Sequence, residues 1–228
     1  MKNENVKKLD LEKIPIIDIT NLINGKDKIS VAKKLHFASQ KLGFIYIQNH
    51  GISKSIIKAL RNDGLKFFRK AQREKTQVKI SNKHRGWLGY GGAKMGDNAK
   101  PDLKESFIWG YQDQNGFSLE DHPLRGNNRW PDFLPSLENY AMNFFNNVDK
   151  LAKTLLTGFA LGLNLDENFF LKTTNKPLSR ASLVYYPSQK SLVSKDQFGV
   201  SSHTDFGLLT LLFQDDVGGL QVQDINGD

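Results

Sequence analysis

The sequence predicts an α+β protein in which a helix-rich first part is followed by an all-β segment. Apolar residues recur at helical spacing over residues 28–42 and again from Pro135 to Leu163, which indicates two amphipathic helices. After Pro177 the apolar period changes from about 3.6 to about 2 residues, as is typical of half-buried strands. A chain of 228 residues, 39% of them hydrophobic, is long enough to bury a sizeable core.

The first part predicts two strands and two helices in alternation. Residues 1–13 are polar and predict a flexible arm before these elements. Residues 14–18 (IPIID) predict a short strand with the proline at its start or edge. The 28–42 helix follows, and residues 44–47 (FIYI) predict a buried strand. Ser53 then predicts the N-cap of the second helix, because its hydroxyl can accept a backbone N–H there.

The middle of the chain predicts a long surface loop, a strand and the longest helix. Residues 81–104 are rich in Gly, Asn and Lys, and loops of this length are often functional. Residues 105–110 (ESFIWG) predict a strand, and the helix that begins at Pro135 is expected to stop near Gly162. The alternating pattern predicts three further strands, over residues 180–186, 208–213 and 219–224.

Composition argues against several classes of protein. The 32 Lys and Arg against 24 Asp and Glu give a net charge of +8, but the lysines are spread over the whole length, so we expect no nucleic-acid partner. No apolar run approaches the roughly 18 residues of a membrane span, and the first residues lack an apolar signal region, so we expect no membrane association. The absence of cysteine excludes disulfides, thiolate metal sites and cysteine nucleophiles, and it fits a cytoplasmic protein.

The motif His203-Thr204-Asp205 has the clearest chemical meaning. In an extended segment, residues i and i+2 point to the same side, so the imidazole and the carboxylate are expected to converge. They would supply two members of the 2-His-1-carboxylate triad, which holds Fe(II) and leaves positions open for substrate and oxygen. The remaining histidines are interpreted as structural or exposed: His36, His50, His84 and His122.

The setting of this motif resembles a known family. Residues 199–212 (GVSSHTDFGLLTLL) closely resemble the iron-binding segment of the isopenicillin N synthase-like family of 2-oxoglutarate/Fe(II)-dependent dioxygenases. Residues 218–222 (GGLQV) resemble the next strand of that family. Upstream segments resemble its N-terminal signature and its middle landmarks: residues 14–18, 43–52, 85–91, 102–107 and 128–131.

The resemblance implies a fold and a reaction. The fold would be a double-stranded β-helix (jelly roll), incomplete in this chain, flanked by N-terminal helices. The reaction would be oxidation of a small organic substrate by hydroxylation, desaturation or ring closure, with Fe(II), 2-oxoglutarate and O2. His203 and Asp205 match two iron ligands, and Tyr186 matches a tyrosine that contacts the 2-oxoglutarate carboxylate. Many relatives carry asparagine where this chain has Val184, so that polar contact is not expected.

The resemblance also implies that the chain has four regions and that it lacks the C-terminal part of the jelly roll. The expected regions are a flexible arm, an N-terminal dioxygenase region, a long helix packing on the sheet, and the first part of the jelly roll: residues 1–13, 14–130, 131–176 and 177–228. The family's second ligand histidine, and the arginine and serine that hold 2-oxoglutarate, would come after the last residue. Asn226-Gly227 predicts a hairpin turn with no returning strand. We therefore expect a truncated jelly roll that needs a complementary C-terminal chain for turnover.

Two alternatives remain open from the sequence. The first is a non-catalytic truncated remnant, or one half of a split enzyme. The second is an Fe(II) oxidase of the same fold that does not use 2-oxoglutarate and would still need His203 and Asp205. The sequence does not identify the substrate, because the residues that face it lie on variable loops.

Overall fold

A computed structural model describes residues 14–94, 100–112, 122–188 and 197–222. The predicted arm over residues 1–13 lies outside these residues. The described part of the chain divides into two compact units, one drawn from residues 1–51, 150–174 and 209–228, the other from residues 52–149 and 175–208. Among the described helices, none combines the length and the apolar character needed to cross a membrane.

The first unit contains two short parallel strands joined by two helices. Strand β1 (Ile16–Asp18) pairs in parallel with strand β2 (Tyr46–Gln48), and helices α1 (Thr20–Asn24) and α2 (Lys28–Lys41) lie between them in the chain. Parallel strands need such a crossover, because a tight turn cannot bring their equivalent ends together. The side chain of Asp27 accepts the backbone N–H three residues later at 3.1 Å, which fixes the start of α2.

The core of the first unit includes one face of α2 and the last turns of the longest helix, α5 (Ser136–Gly162). Close approach depends on a small residue, because a Cβ at Gly158 of α5 would lie 2.8 Å from Leu22 Cδ2 and 3.0 Å from Leu35 Cδ1. The buried side chains of α2 and of this end of α5 are Val31, Ala32, Leu35, Ala38, Leu151, Leu155, Leu156 and Ala160.

The second unit contains an antiparallel sheet of three strands. They are β3 (Gly86–Leu88), β4 (Glu105–Gly110) and β5 (Arg180–Tyr185), in the order β3-β4-β5. In β5 burial alternates, so that Ala181, Leu183 and Tyr185 are the more buried positions. These three side chains pack against the core, which confirms the predicted alternation.

An aromatic cluster forms the core of the second unit. Helix α3 (Lys54–Phe68) begins at Ser53, whose hydroxyl accepts a backbone N–H two residues later at 3.2 Å, as predicted. The rings of Phe67 and Phe107 are fully buried and their centroids lie 4.9 Å apart, edge to face. A short helix, α4 (Gln72–Lys75), follows α3. The buried members of the cluster are Leu60, Phe67, Phe68, Val78, Trp87, Phe107, Trp109, Leu137, Ala141 and Phe145.

A polar network is enclosed in the second unit. Oε2 of Glu105 accepts hydrogen bonds from Lys75 Nζ at 2.6 Å and from Trp87 Nε1 at 2.7 Å. Lys75 Nζ also donates to the Phe68 carbonyl at 3.0 Å and lies 5.1 Å from the centroid of the Trp87 ring. The buried charges are therefore paired and hydrogen-bonded, as burial of ionised groups requires.

Most of the predicted elements are confirmed, and so is the coarse α+β class. The predicted strand over residues 44–47 begins two residues later, as β2. The predicted strands over residues 208–213 and 219–224 are wrong wherever the structure describes them, because residues 208–213 and 219–222 are not in strand conformation. A strand is stabilised by ladder hydrogen bonds to a neighbour, and no described segment pairs with either run. Residues 223–224 lie outside the described part.

Candidate metal centre

The segment that carries the His-x-Asp motif is held by the loop that precedes β4. Three hydrogen bonds, each 3.1 Å long, join residues 101–103 to residues 197–201. One of them runs from the backbone N–H of Ser201 to Oδ1 of Asp102. These bonds join residues almost a hundred positions apart, and they fix the backbone two residues before the motif.

His203 and Asp205 converge, as the alternation predicts. Nε2 of His203 lies 3.4 Å from Oδ1 of Asp205, and the two side chains are 37% and 54% exposed. On the other side of the ring, Nδ1 lies 2.8 Å from the carbonyl oxygen of Ser201. Because a carbonyl oxygen can only accept, this contact favours the tautomer with its proton on Nδ1, in which the Nε2 lone pair faces Asp205.

This arrangement fits a divalent metal ion. In the tautomer with its proton on Nδ1, the Nε2 lone pair and a carboxylate oxygen face the same point, where one cation could bind both. Two ligands about 2.1 Å from one ion and at right angles are about 3 Å apart, close to the separation seen here. A metal-binding histidine usually donates its other N–H to a carbonyl or carboxylate, as His203 does to Ser201. Imidazole with carboxylate is also a donor set that suits Fe(II).

The described residues supply two members of such a ligand set. Within them, no three His, Cys, Asp or Glu side chains are grouped so that they could hold a metal ion together. The other histidines have structural contacts: the ring of His50 meets Phe213 edge-on, and Nδ1 of His122 accepts the Leu124 N–H at 3.1 Å. His84 adopts a positive φ of 56° two residues before β3, a buried strand that interrupts the surface loop predicted over residues 81–104. These observations agree with their interpretation as structural or exposed residues.

Tyr186 follows β5 and packs against the segment that leads to the motif. A Cβ at Gly199 would lie 2.8 Å from Cε1 of Tyr186, so the ring rests on the glycine backbone. Tyr186 is about half exposed, and the partial burial of its phenol raises its pKa, as does the negative charge of Asp102. The structure therefore brings Tyr186 to a point four residues before His203, and it leaves Val184 exposed on the surface.

The Tyr186 phenol is expected to ionise at higher pH than free tyrosine, whose pKa is about 10. The folded state favours the protonated phenol, so its contribution to stability is complete below the unfolded pKa and is lost as the pH rises through the folded pKa. The difference in phenolate absorbance between the wild-type protein and Tyr186→Phe measures this midpoint. Asp102→Asn should move it back towards 10, because a neighbouring negative charge is removed. A wild-type midpoint at or below 10 would contradict the expectation.

Asp102 and Lys104 belong to this site, although sequence reasoning assigned them no role beyond a family landmark. Asp102 is fully buried, and Lys104, only 12% exposed, places Nζ at 3.1 Å from Asp102 Oδ2. This contact is close enough for an ion pair, although it is not aligned as a hydrogen bond. The only local signal is a charged Asp-x-Lys pattern next to an apolar strand, which does not reveal that the aspartate is buried.

Two known protein families match different parts of this chain. Residues 14–133 match the family described as non-haem dioxygenase in morphine synthesis, N-terminal, and residues 179–228 match the 2OG-Fe(II) oxygenase superfamily. The chain belongs to the 2OG-Fe(II) oxygenase superfamily. The second match includes Tyr186, His203 and Asp205.

Relatives of this oxygenase chain are similar over nearly all of its length. A protein named probable iron/ascorbate oxidoreductase from Dictyostelium discoideum is 31% identical over 251 residues, covering 97% of this chain and 69% of the relative. A 1-aminocyclopropane-1-carboxylate oxidase from Dictyostelium mucoroides is 30% identical, covering 96% and 68%. A full-length Neurospora crassa protein, solved with alpha-ketoglutarate and thymine, gives a TM-score of 0.81 at 30% identity, covering 94% and 69%.

These similarities confirm the predicted family and class. The chain is of the non-haem Fe(II)/2-oxoglutarate-dependent oxygenase lineage, whose members are oxidoreductases that act on small organic substrates. Fe(II), 2-oxoglutarate and O2 are accordingly its cofactor and co-substrates.

Proposed function

We propose that this oxygenase chain binds Fe(II) through Nε2 of His203 and the carboxylate of Asp205, and that Tyr186 contacts 2-oxoglutarate. The observation that carries the proposal is the 3.4 Å approach of these two ligand atoms, with Nδ1 of His203 already bonded to the Ser201 carbonyl. The bound metal would supply activation of O2, with 2-oxoglutarate as the source of electrons. The residues of the chain have the tasks of orienting the imidazole, holding the carboxylate and directing the Tyr186 hydroxyl towards a co-substrate carboxylate.

We further propose that residues 177–228 form the first part of a double-stranded β-helix. The antiparallel order β3-β4-β5 and the match of residues 179–228 to the oxygenase superfamily support this architecture. In such a fold, Leu208–Phe213 would become a strand on pairing with a further segment. Three large apolar side chains from this part of the chain are well exposed, as expected of surface that awaits a partner: Leu208, Leu212 and Val217.

The remaining ligand histidine and the arginine for 2-oxoglutarate are proposed to come from a further C-terminal segment, in the same or a complementary chain. Two observations support this: the described residues hold no group of three metal-ligating side chains, and the chain spans about two-thirds of the relatives that it matches. The substrate is a small organic molecule, and a cytoplasmic location fits a chain without cysteine.

The metal site is tested by anaerobic titration of the chain with Mn(II) as a stable substitute for Fe(II). We expect weak binding to the wild-type chain, and binding at least about tenfold weaker to His203→Ala and to Asp205→Ala. His84→Asn is the matched control, because asparagine accepts the positive φ at that position and the side chain lies outside the motif. Unchanged binding to His203→Ala would remove this pair from the metal site.

The co-substrate is tested on the metal-loaded protein, with and without a C-terminal segment from a relative. Tyr186→Phe should weaken 2-oxoglutarate binding about fivefold, the effect of losing one hydrogen bond of about 1 kcal/mol. Release of CO2 from 2-oxoglutarate labelled at C1, in step with substrate oxidation, would identify a dioxygenase. Substrate oxidation without this release would favour the 2-oxoglutarate-independent oxidase, and the absence of both would favour the non-catalytic remnant.

A further inference from the structure

A buried carboxylate in the second unit is connected to the imidazole of His203 through the backbone of a single residue, Ser201. Oδ1 of Asp102 accepts the backbone N–H of Ser201 at 3.1 Å, and the carbonyl oxygen of Ser201 lies 2.8 Å from Nδ1 of His203. Ser201 is therefore held from both sides, by a carboxylate at its N–H and by an imidazole N–H at its carbonyl. The connection ends at Nε2, the atom that faces Asp205.

Asp102 is suited to hold a backbone segment because its own position is strongly determined. The residue is fully buried, and its charge is balanced by Lys104, whose side chain is 12% exposed with Nζ at 3.1 Å. A hydrogen bond to an ionised acceptor is stronger than a bond between neutral groups. The bonds of residues 101 and 103 to residues 197–198 lie on both sides of Asp102 and fix the loop itself.

Removing the Asp102 carboxylate would loosen the backbone of Ser201, whose carbonyl orients the ring. The Ser201 N–H would lose its acceptor, and the Ser201 carbonyl would no longer be held where Nδ1 of His203 can donate to it. His203 is more than a third exposed, so its ring has room to turn and to exchange its proton between Nδ1 and Nε2. A proton on Nε2 would block the lone pair that a metal requires.

We propose that Asp102 is a positioning residue for the metal centre: through the backbone of Ser201 it keeps the proton of His203 on Nδ1 and Nε2 free to bind the ion. This inference rests on the proposed metal site. It assigns a task to a residue from the N-terminal half of the chain, about a hundred positions from the ligand that it positions. Asp102 contacts neither metal nor substrate in this assignment.

The first test needs no metal. Nitrogen-15 NMR of the His203 ring at about pH 8.5, where imidazoles are ordinarily neutral, reports which nitrogen carries the proton; His203→Gln assigns the signals. We expect the Nδ1–H form to dominate in the wild-type protein and to lose its dominance in Asp102→Ala. Asp102→Asn keeps an oxygen that can accept the Ser201 N–H, so it should retain most of the Nδ1–H form.

Asp63→Ala is the matched control for general destabilisation. Asp63 is also a buried carboxylate of the second unit with a lysine partner, since Lys66 Nζ donates to it at 2.7 Å, but its described bonds lead to α3 and α5. The His203 tautomer should stay unchanged in this variant. An unchanged tautomer in Asp102→Ala, or equal shifts in Asp102→Ala and Asp63→Ala, would overturn the proposal.

The second test is the anaerobic Mn(II) titration. Asp102→Ala should raise Kd about tenfold, the usual effect of removing a group that orients a metal-ligating histidine, whereas Asp102→Asn and Asp63→Ala should stay within about threefold of the wild type. Equal affinity of Asp102→Ala and the wild type would contradict the proposal. Failure of the wild-type chain to bind Mn(II) would count against the metal site itself, and the tautomer measurement would still decide the role of Asp102.

Discussion

Glu105→Ala is expected to lower the free energy of unfolding by about 3–5 kcal/mol, because it leaves a buried ammonium group without its counter-charge. Oε2 of Glu105 accepts from Lys75 at 2.6 Å and from Trp87 at 2.7 Å, so one substitution breaks two short hydrogen bonds. The Lys75 and Glu105 side chains are only 6% and 11% exposed, and water therefore cannot replace the lost carboxylate. Urea denaturation followed by tryptophan fluorescence measures the loss.

Two further variants show whether the loss of stability comes from the buried Lys75–Glu105 pair or is the usual cost of breaking an exposed ion pair. Glu74→Ala breaks the partly exposed Lys70–Glu74 pair, a 3.1 Å contact, and the hydrogen bond that Glu74 accepts from the Ala71 N–H, and should cost about 1 kcal/mol. Changing both Lys75 and Glu105 to methionine removes both charges at similar volume and should recover most of the loss. If Glu105→Ala costs no more than Glu74→Ala, the buried pair does not contribute measurably to stability.

The elements that the sequence predicted well are those that depend on near neighbours in the chain. The start of α3 depends on the hydroxyl of Ser53, and α5 follows from one apolar stripe between Pro135 and Gly162. Which residues of a helix are buried is harder to predict from near neighbours alone. Ile29 belongs to the predicted stripe of α2 but is 50% exposed, whereas Val31 is buried. What decides this is the surface that packs against the helix, and the sequence of the helix does not contain that surface.

The features that sequence reasoning missed depend on partners far away in the chain. Residues 208–213 have the composition of a strand, yet a strand exists only where a neighbour completes its hydrogen bonds. Lys75 looks like any of the chain's solvent-exposed lysines until Glu105, thirty positions later, is placed against it. Asp102 is similar, because its acceptor role depends on Ser201, ninety-nine positions away. By contrast, the convergence of the His-x-Asp motif is a property of three consecutive residues and was predictable.

Gly86→Ala is expected to destabilise the second unit by about 3 kcal/mol, because two separate costs meet at this residue. Gly86 has a φ of +112°, a conformation that residues with a Cβ rarely adopt. A Cβ here would also collide with the Val78 carbonyl oxygen and lie 3.1 Å from the Lys79 carbonyl oxygen. Both oxygens are backbone atoms at the end of a short 3-10 turn (Thr76–Val78), so the chain itself would have to move. Urea denaturation of the variant measures the cost.

Gly43→Ala measures the cost of placing a Cβ on a residue with positive φ where no collision occurs. Gly43 has a φ of +75°, but no atom lies within 4 Å of a Cβ placed there, so its loss should be about 1 kcal/mol from backbone strain alone. Equal losses of stability for Gly86→Ala and Gly43→Ala would mean that the 3-10 turn moves aside and that the collision does not lower stability. Because the Ile80 N–H donates to the Trp87 carbonyl at 2.7 Å, displacement of the turn should also loosen the Trp87 bond to Glu105. Gly86→Ala and Glu105→Ala are therefore expected to cost less together than the sum of their separate losses.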